Sequence, residues 1–243
     1  THAHLSEEDF WQPLTEVFDW AKQNVTSVLC SCLATHALIE YCYGIERTPQ
    51  PQKRWGVFSH KVLERTHPLV AEINTRFDVP HSRFNEIYQH DMEQKGITIL
   101  AASEQAGVHL AVSSDGIRVV FFQGHPEYDD ISLLKEYKRE VIRFYNNERD
   151  DYPAYPDNYF DDKTKDLLSE HEKQVKVAKE NKQALVLFPE QDILDQLDNT
   201  WRDTAKAVFN NWLGKVYQIT NLDRRIPFMA GIDPKNPLGL RNL

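Results

Sequence analysis

Three cysteines, two methionines and nine glycines are all that this 243-residue chain contains of those residue types. The cysteines show no paired spacing, which excludes a disulfide framework and a CxxC zinc site. No apolar run approaches the length of a membrane span, and no charged segment followed by an apolar core marks a signal peptide. A basic stripe with interleaved aromatics is also missing: 37 acidic against 28 basic residues leave a net charge of -9, so nucleic acid is not an expected partner. The ten histidines are scattered, with His2 and His4 the closest pair, and no metal site is expected. What remains is 41% hydrophobic and 27% charged, the composition of a soluble cytoplasmic enzyme built on one substantial α/β domain.

The chemistry starts at Cys32, in the segment VTSVLCSCLATHALIEY. Val25 to Ser31 reads as a buried strand and Leu33 to Tyr43 as a helix with small residues at its start. A thiol at that junction sits at a helix N-terminus, where backbone N–H groups and the helix dipole favour a thiolate and hold an oxyanion. This is the logic of a nucleophile elbow, with the backbone N–H of Leu33 as one oxyanion donor. An isolated cysteine in an apolar run is more often an inert core residue, and Cys30, inside the strand, and Cys42, on the helix, are read that way.

The second chemical segment is FFQGHPEYD, carrying His125 and Glu127. Gly107 to Val112 and Ile117 to Phe122, joined through Asp115-Gly116, read as a β-hairpin that Gly124 ends. His125 and Glu127 then fall in a loop at the C-terminal end of a strand, the edge of an α/β sheet where ligands bind. Thiol, imidazole and carboxylate in this order suit nucleophilic acyl chemistry: the thiolate attacks, the imidazole moves protons, the carboxylate orients the imidazole.

These segments, with KRWGVFSHKV (Lys53 to Val62), FDVPHSRFNEI (Phe77 to Ile87), LLKEYKREV (Leu133 to Val141), NYF (Asn158 to Phe160) and WRDTAKAVFNNWLGKVYQIT (Trp201 to Thr220), resemble the homoserine O-acyltransferases of methionine biosynthesis. The resemblance runs in order over most of residues 5 to 220. It implies a class I glutamine amidotransferase-like α/β fold, a three-layer sandwich with a nucleophile elbow and a helical C-terminal part. It also implies acyl transfer to homoserine from acyl-CoA, succinyl-CoA favoured over acetyl-CoA, with no cofactor and with a homodimer as the assembly. Position by position, it implies Cys32 as acyl-accepting nucleophile, His125 as general base and Glu127 as its orienting carboxylate. Lys53, Ser82, Glu136 and Arg139 become substrate-binding residues, the last two for the ammonium and carboxylate of homoserine. Taken locally, Lys53 lies in a polar, Pro-rich linker, Ser82 and Arg83 follow Pro80-His81 as in a turn, and Glu136 and Arg139 resemble a weak surface ion pair.

The chain departs from the family in two ways. Leu33, Ala34, Thr35 and His36 follow Cys32 where the family has a Trp, a small residue and a Gln, so His36 reads as either a polar contact or a helix-surface residue. The chain opens at Thr1 without a Met, and relatives carry roughly one βαβ unit more before this point. The domain reading is therefore one catalytic α/β domain over 1–243, shortened at its N-terminus, with a helical insertion at 163–196 and an irregular tail at 221–243 that lies on a neighbouring subunit. The apolar Ala184 to Phe188 within the insertion is read as packing back. Two other functions use the same residues: a glutamine amidotransferase-type hydrolase, or a non-catalytic relative.

Overall fold

The computed structural model describes residues 4–223 and 225–240; Thr1, His2 and the last three tail positions lie outside them. In chain order the elements are α1 (Trp11–Asn24), β1 (Val28–Ser31), α2 (Leu33–Tyr43), β2 (Thr48–Val62), β3 (Arg76–Glu86), α3 (Gln89–Gln94), β4 (Thr98–Ser103), β5 (Gly107–Val112), β6 (Val119–Phe122), α4 (Ser132–Tyr145), α5 (Asp162–Glu180), α6 (Glu190–Leu194) and α7 (Arg202–Ile219). The contacts divide the chain into two units, one comprising Thr1–Arg54, Phe58–Pro126 and Trp201–Leu243, the other Trp55–Val57 and Glu127–Thr200.

The first unit holds a six-stranded sheet in the order β1-β6-β5-β4-β2-β3. β1 and β6 are parallel, whereas β6, β5, β4 and β2 pair antiparallel in succession. Alternation along the strands builds two apolar layers. Cys30, Val108, Ala111 and Phe121 join α1 and α2 through Phe18, Ala37, Leu38 and Ile39. On the other face, Leu110, Val112, Val120 and Phe122 pack with Val208 of α7. A register shift between Ile99 and Ala101 turns both Leu100 and Ala101 to that second face. Helix, sheet, helix is the three-layer order expected for this unit.

Local chemistry sets the boundaries. α2 ends where Gly44, at φ 64, caps it by donating to the Glu40 carbonyl at 3.0 Å. The hairpin forms as expected, but its second strand starts at Val119. Asp115 Oδ1 accepts from the N–H groups of Ile117 at 3.0 Å and Arg118 at 2.7 Å, and this holds the turn open two residues longer. β1 likewise begins three residues late, at Val28.

Three local readings are corrected. Lys53 is not in a linker: Thr48 to Arg54 continues as the polar first half of β2, whose apolar half follows. Pro80 to Arg83 is not a turn but the middle of β3, the last strand in the sheet order, where a missing N–H is tolerated. Cys42 is not a core residue; it lies on the exposed side of α2.

The second unit is organised around Tyr137 of α4. Its ring meets Trp55, Tyr155, Phe160 and Phe188 at centroid distances of 6.1, 5.6, 5.6 and 6.2 Å. The charged stretch read as a helix is α5, capped where Asp161 accepts from Thr164 N–H at 2.7 Å, and it buries Leu168, His171, Val175 and Ala178. Phe188 packs back onto this unit as expected, although Leu187 beside it is 90% exposed. The described part of the tail lacks helix and strand and docks on its own chain, with Phe228 beside Ile117 and Ile219 and the Pro227 carbonyl accepting from Thr26 Oγ1 at 2.8 Å.

At Gly56 the second unit leaves no room for a side chain. Val57 N–H and Asp157 N–H exchange hydrogen bonds with Asp157 and Trp55 carbonyls, each at 2.8 Å, and a Cβ on Gly56 would lie 2.5 Å from the Asp157 nitrogen. With φ at 147 the backbone is also one that side chains rarely adopt. Gly56→Ala should lower stability by roughly 2 kcal/mol or more from strain and overpacking. An unchanged urea midpoint and slope would contradict this close approach.

Candidate active site

The site is built on a parallel strand pair, β1 beside β6, with Ser31 opposite Phe122. Because the two strands point the same way, their C-terminal ends share one edge, and the chain leaves that edge at Cys32 and at Gly124-His125. Two hydrogen bonds tie the exits together: Cys32 N–H donates to the Phe122 carbonyl at 2.7 Å, and Ser31 Oγ donates to the Gly124 carbonyl at 3.2 Å.

Cys32 stands at φ 47 and ψ -110, between a strand and a helix whose first residue is Leu33. That backbone is strained for a residue with a Cβ, and strain of this kind is maintained where the surrounding structure over-determines it. Here Cys32 N–H is held by β6, and its carbonyl accepts from His36 N–H at 3.1 Å as the helix begins. The side chain is half-buried. Thr35 Oγ1 donates to the Cys30 carbonyl at 2.9 Å, closing the turn from within. By contrast, burial pushes the Cys30 thiol up to about 12, the state of an inert core cysteine.

His36 settles as a buried contact, 2% exposed. Its Nε2 lies 3.0 Å from Gln123 Oε1, and that oxygen also accepts from Ile87 N–H at 2.9 Å. Gln123 Nε2 donates to the carbonyls of Ile87 at 3.0 Å and Val108 at 3.1 Å. One buried amide thus locks the helix after Cys32 to the strand before His125. Burial holds the His36 imidazole neutral, down to about 3.

A second polar group lies beneath the loop. His125 N–H donates to the Pro80 carbonyl of β3 at 2.8 Å. His81, next in that strand, is fully buried and pairs with His60, Nε2 to Nε2, at 3.1 Å. Arg83 Nε donates to His81 Nδ1 at 3.4 Å, while its other nitrogens reach the Asn85 carbonyl at 3.0 Å, Glu86 Oε1 at 3.5 Å and the Ala106 carbonyl. Arg83 and Arg47, 4% and 5% exposed, both lie within electrostatic reach of a Cys32 thiolate.

The residues singled out from sequence fall into two sets. Cys32, Leu33, Lys53, Ser82 and His125 belong to the first unit. Ser82 is half-buried between His81 and Arg83, and the Lys53 ammonium lies 5.9 Å from the centre of the Phe84 ring. Glu127, Glu136 and Arg139 belong to the second unit. Glu127 is exposed; Glu136 accepts from Tyr128 OH at 2.6 Å; Arg139, 64% exposed, lies 3.7 Å from Glu140. Sequence reasoning passed over Arg47, Arg83, His60, His81 and Gln123. The signal was present for three of them, a polar residue inside an apolar strand pattern: His60 in GVFSHKV, His81 in FDVPHS and Gln123 in VVFFQG.

Burial also holds His60 and His67 down to about 4, and His81 and His109 well below their ordinary range. A histidine depressed in the fold binds its proton more readily in the unfolded chain, so unfolding takes up protons and stability falls as pH drops. From about pH 6.5 toward 4 the urea midpoint should decline with a slope equivalent to more than one proton. A midpoint that is flat from pH 7.5 to 5 would show that these rings protonate freely in the folded chain.

Residues 1–222 match the family model described as homoserine O-succinyltransferase. Over 240 residues the chain is 71% identical to the homoserine O-succinyltransferase of Methylobacter tundripaludum, covering 99% of this chain and 68% of that protein. The Methylococcus capsulatus homoserine O-succinyltransferase is 63% identical with the same coverage. Among solved structures, a glutamine amidotransferase from Methylobacillus flagellatus superposes with a TM-score of 0.52 at 17% identity, over 86% of this chain and 72% of that one, which shows the shared fold. An elbow cysteine beside a histidine loop on a glutamine amidotransferase fold, at this level of identity, places the chain in the homoserine O-succinyltransferase family.

Proposed function

We propose that this acyltransferase moves a succinyl group from succinyl-CoA to the hydroxyl of homoserine, in methionine biosynthesis, through a thioester on Cys32. The observation that supports this most directly is the elbow itself: Cys32 at φ 47, hydrogen-bonded to Phe122 at the end of β6, where the chain runs on into the His125 loop. The preference for succinyl over acetyl rests on the names of the relatives. The enzyme acts without a cofactor, as a cytoplasmic homodimer. Among the described residues no helix is long and apolar enough to cross a membrane.

The Cys32 thiolate attacks the thioester carbonyl, and the oxyanion faces the N-terminus of α2, where the Leu33 N–H is one donor. CoA leaves as its thiol, taking from His125 the proton that His125 accepted from the Cys32 thiol. Homoserine then enters, its carboxylate on Arg139, its ammonium on Glu136, with Lys53 and Ser82 as further substrate contacts. His125, oriented by Glu127, takes the hydroxyl proton as the oxygen attacks, and Cys32 departs. Exchanging one thioester for another is nearly isoenergetic, so positioning and oxyanion stabilisation supply most of the acceleration.

Incubation with succinyl-CoA and no acceptor should give a succinyl adduct by intact-protein mass spectrometry. Cys32→Ser should abolish it, whereas Cys30→Ser and Cys42→Ser keep it. An adduct that survives Cys32→Ser on another cysteine would move the nucleophile. Glutamine hydrolysis without acyl transfer would return the chain to the amidotransferase reading, and neither activity would return it to the non-catalytic one.

Arg139→Ala separates the two half-reactions. Formation of the Cys32 acyl-enzyme should be unchanged while its discharge by homoserine falls tenfold to hundredfold, the loss of about 1.5–3 kcal/mol from a charge-assisted contact. Arg139→Lys should recover part of it, since a point charge cannot reproduce the planar fork. Unaltered discharge in Arg139→Ala would leave this exposed side chain as a partner of Glu140 alone.

A further inference from the structure

Beneath the His125 loop lies a chain of buried polar groups that packing alone does not require. His60, His81 and His109 sit at 0%, 0% and 3% exposure in an apolar layer that includes Phe77, Val79 and Phe122. Apolar residues of similar size would fill this space without the desolvation cost of buried imidazoles.

The donors and acceptors at either end allow one proton order only. Arg83 has no acceptor, so His81 Nδ1 is unprotonated and its Nε2–H donates to His60 Nε2, 3.1 Å away. The Phe58 carbonyl has no donor, so His60 Nδ1–H donates to it, at 2.8 Å. The two rings stack 10° from parallel with centroids 5.0 Å apart. Each ring is thereby held in a single tautomer and orientation.

What this chain supports is the backbone on either side of the Gly124-His125 bond. A Cβ on Gly124 would lie 2.8 Å from His81 Nε2, 2.9 Å from its Cε1 and 2.7 Å from Val79 Cγ1. One residue on, His125 N–H is fixed to the Pro80 carbonyl at 2.8 Å. On the opposite side, Ser31 Oγ, adjacent to Cys32, holds the Gly124 carbonyl at 3.2 Å. The loop is clamped between β1 and β3; on the β3 side the Pro80 carbonyl holds His125 N–H, and the His81 ring, with Val79, backs Gly124.

We propose that His81, held by Arg83 and His60, is a positioning residue that sets the placement of His125 relative to Cys32. The inference rests on His125 being the general base. Displacement by about an ångström costs on the order of a hundredfold in rate when reacting groups must meet in one geometry.

His81→Phe keeps the ring volume and removes both hydrogen bonds. It should lower kcat for succinyl transfer about ten- to hundredfold, slow formation of the Cys32 adduct by the same factor, and leave KM for homoserine within about twofold. His81→Gln, which retains a donor and an acceptor, should recover most of the lost kcat. Gly124→Ala forces the His81 ring aside without deleting it and should reproduce the fall in kcat, which keeps the test intact if His81→Phe does not fold. Wild-type kcat in His81→Phe and Gly124→Ala would overturn the proposal, as would a rise in KM with kcat unchanged or a failure of His81→Gln to recover. His125→Ala, measured alongside, separates the two readings. Full activity in that variant removes His125 as the base, whereas loss there with full activity in His81→Phe removes only the positioning role.

Discussion

The parallel pairing of β1 with β6 is the constraint on which the rest depends. Parallel strands share a C-terminal edge, so a cysteine just after one and a histidine just after the other arrive at the same place, although far apart in the chain. The hydrogen bond from Cys32 N–H to the Phe122 carbonyl extends that ladder one residue beyond β1 and holds Cys32 in a conformation it would not adopt in isolation. Antiparallel pairing would send the two chain exits to opposite ends of the sheet.

Around this pairing the protein uses buried polar groups as fasteners. Gln123 spends its whole hydrogen-bonding capacity joining β6 to Ile87, Val108 and His36. Arg83, His81 and His60 do the equivalent beneath the His125 loop. A desolvated group whose partners are all in place has few alternative arrangements, because each one leaves a donor or acceptor unpaired in an apolar layer. The same burial makes these histidines reluctant to take a proton, so geometry near the site and stability toward acid have one cause.

The second unit follows a different rule. Its interior is a set of aromatic rings gathered on Tyr137, and within it the backbone of Trp55–Val57 exchanges hydrogen bonds with Asp157. α5, which looks wholly solvated from its lysines and glutamates, buries one face there through Leu168, His171, Val175 and Ala178. A helix with apolar residues at such spacing needs a partner surface, and the rings from α4 and from Tyr155 to Phe160 belong to the same unit.

Local signals determined much of this by themselves. The helix at Leu33–Tyr43, the hairpin β5-β6, the strand-to-helix corner at Cys32 and the charged helix after Asp161 are all written in short-range periodicity and turn residues, because hydrogen bonding within a few residues decides them. Only the tertiary structure decided that Thr48 to Arg54 and Pro80 to Arg83 are strand, since strand pairing is supplied by distant residues and a Pro-containing polar segment has no local means of showing it. It also decided that His36, His60, His81 and Gln123 are buried, and that Cys42 is not. Whether a polar side chain is a fastener or a surface group depends on which atoms arrive to meet it, and those come from as far as 87 residues away in the case of Gln123 and His36. The corner at Cys32 and the loop at His125 are visible in the sequence; the long-range hydrogen bonds that hold them in place exist only once the sheet has formed.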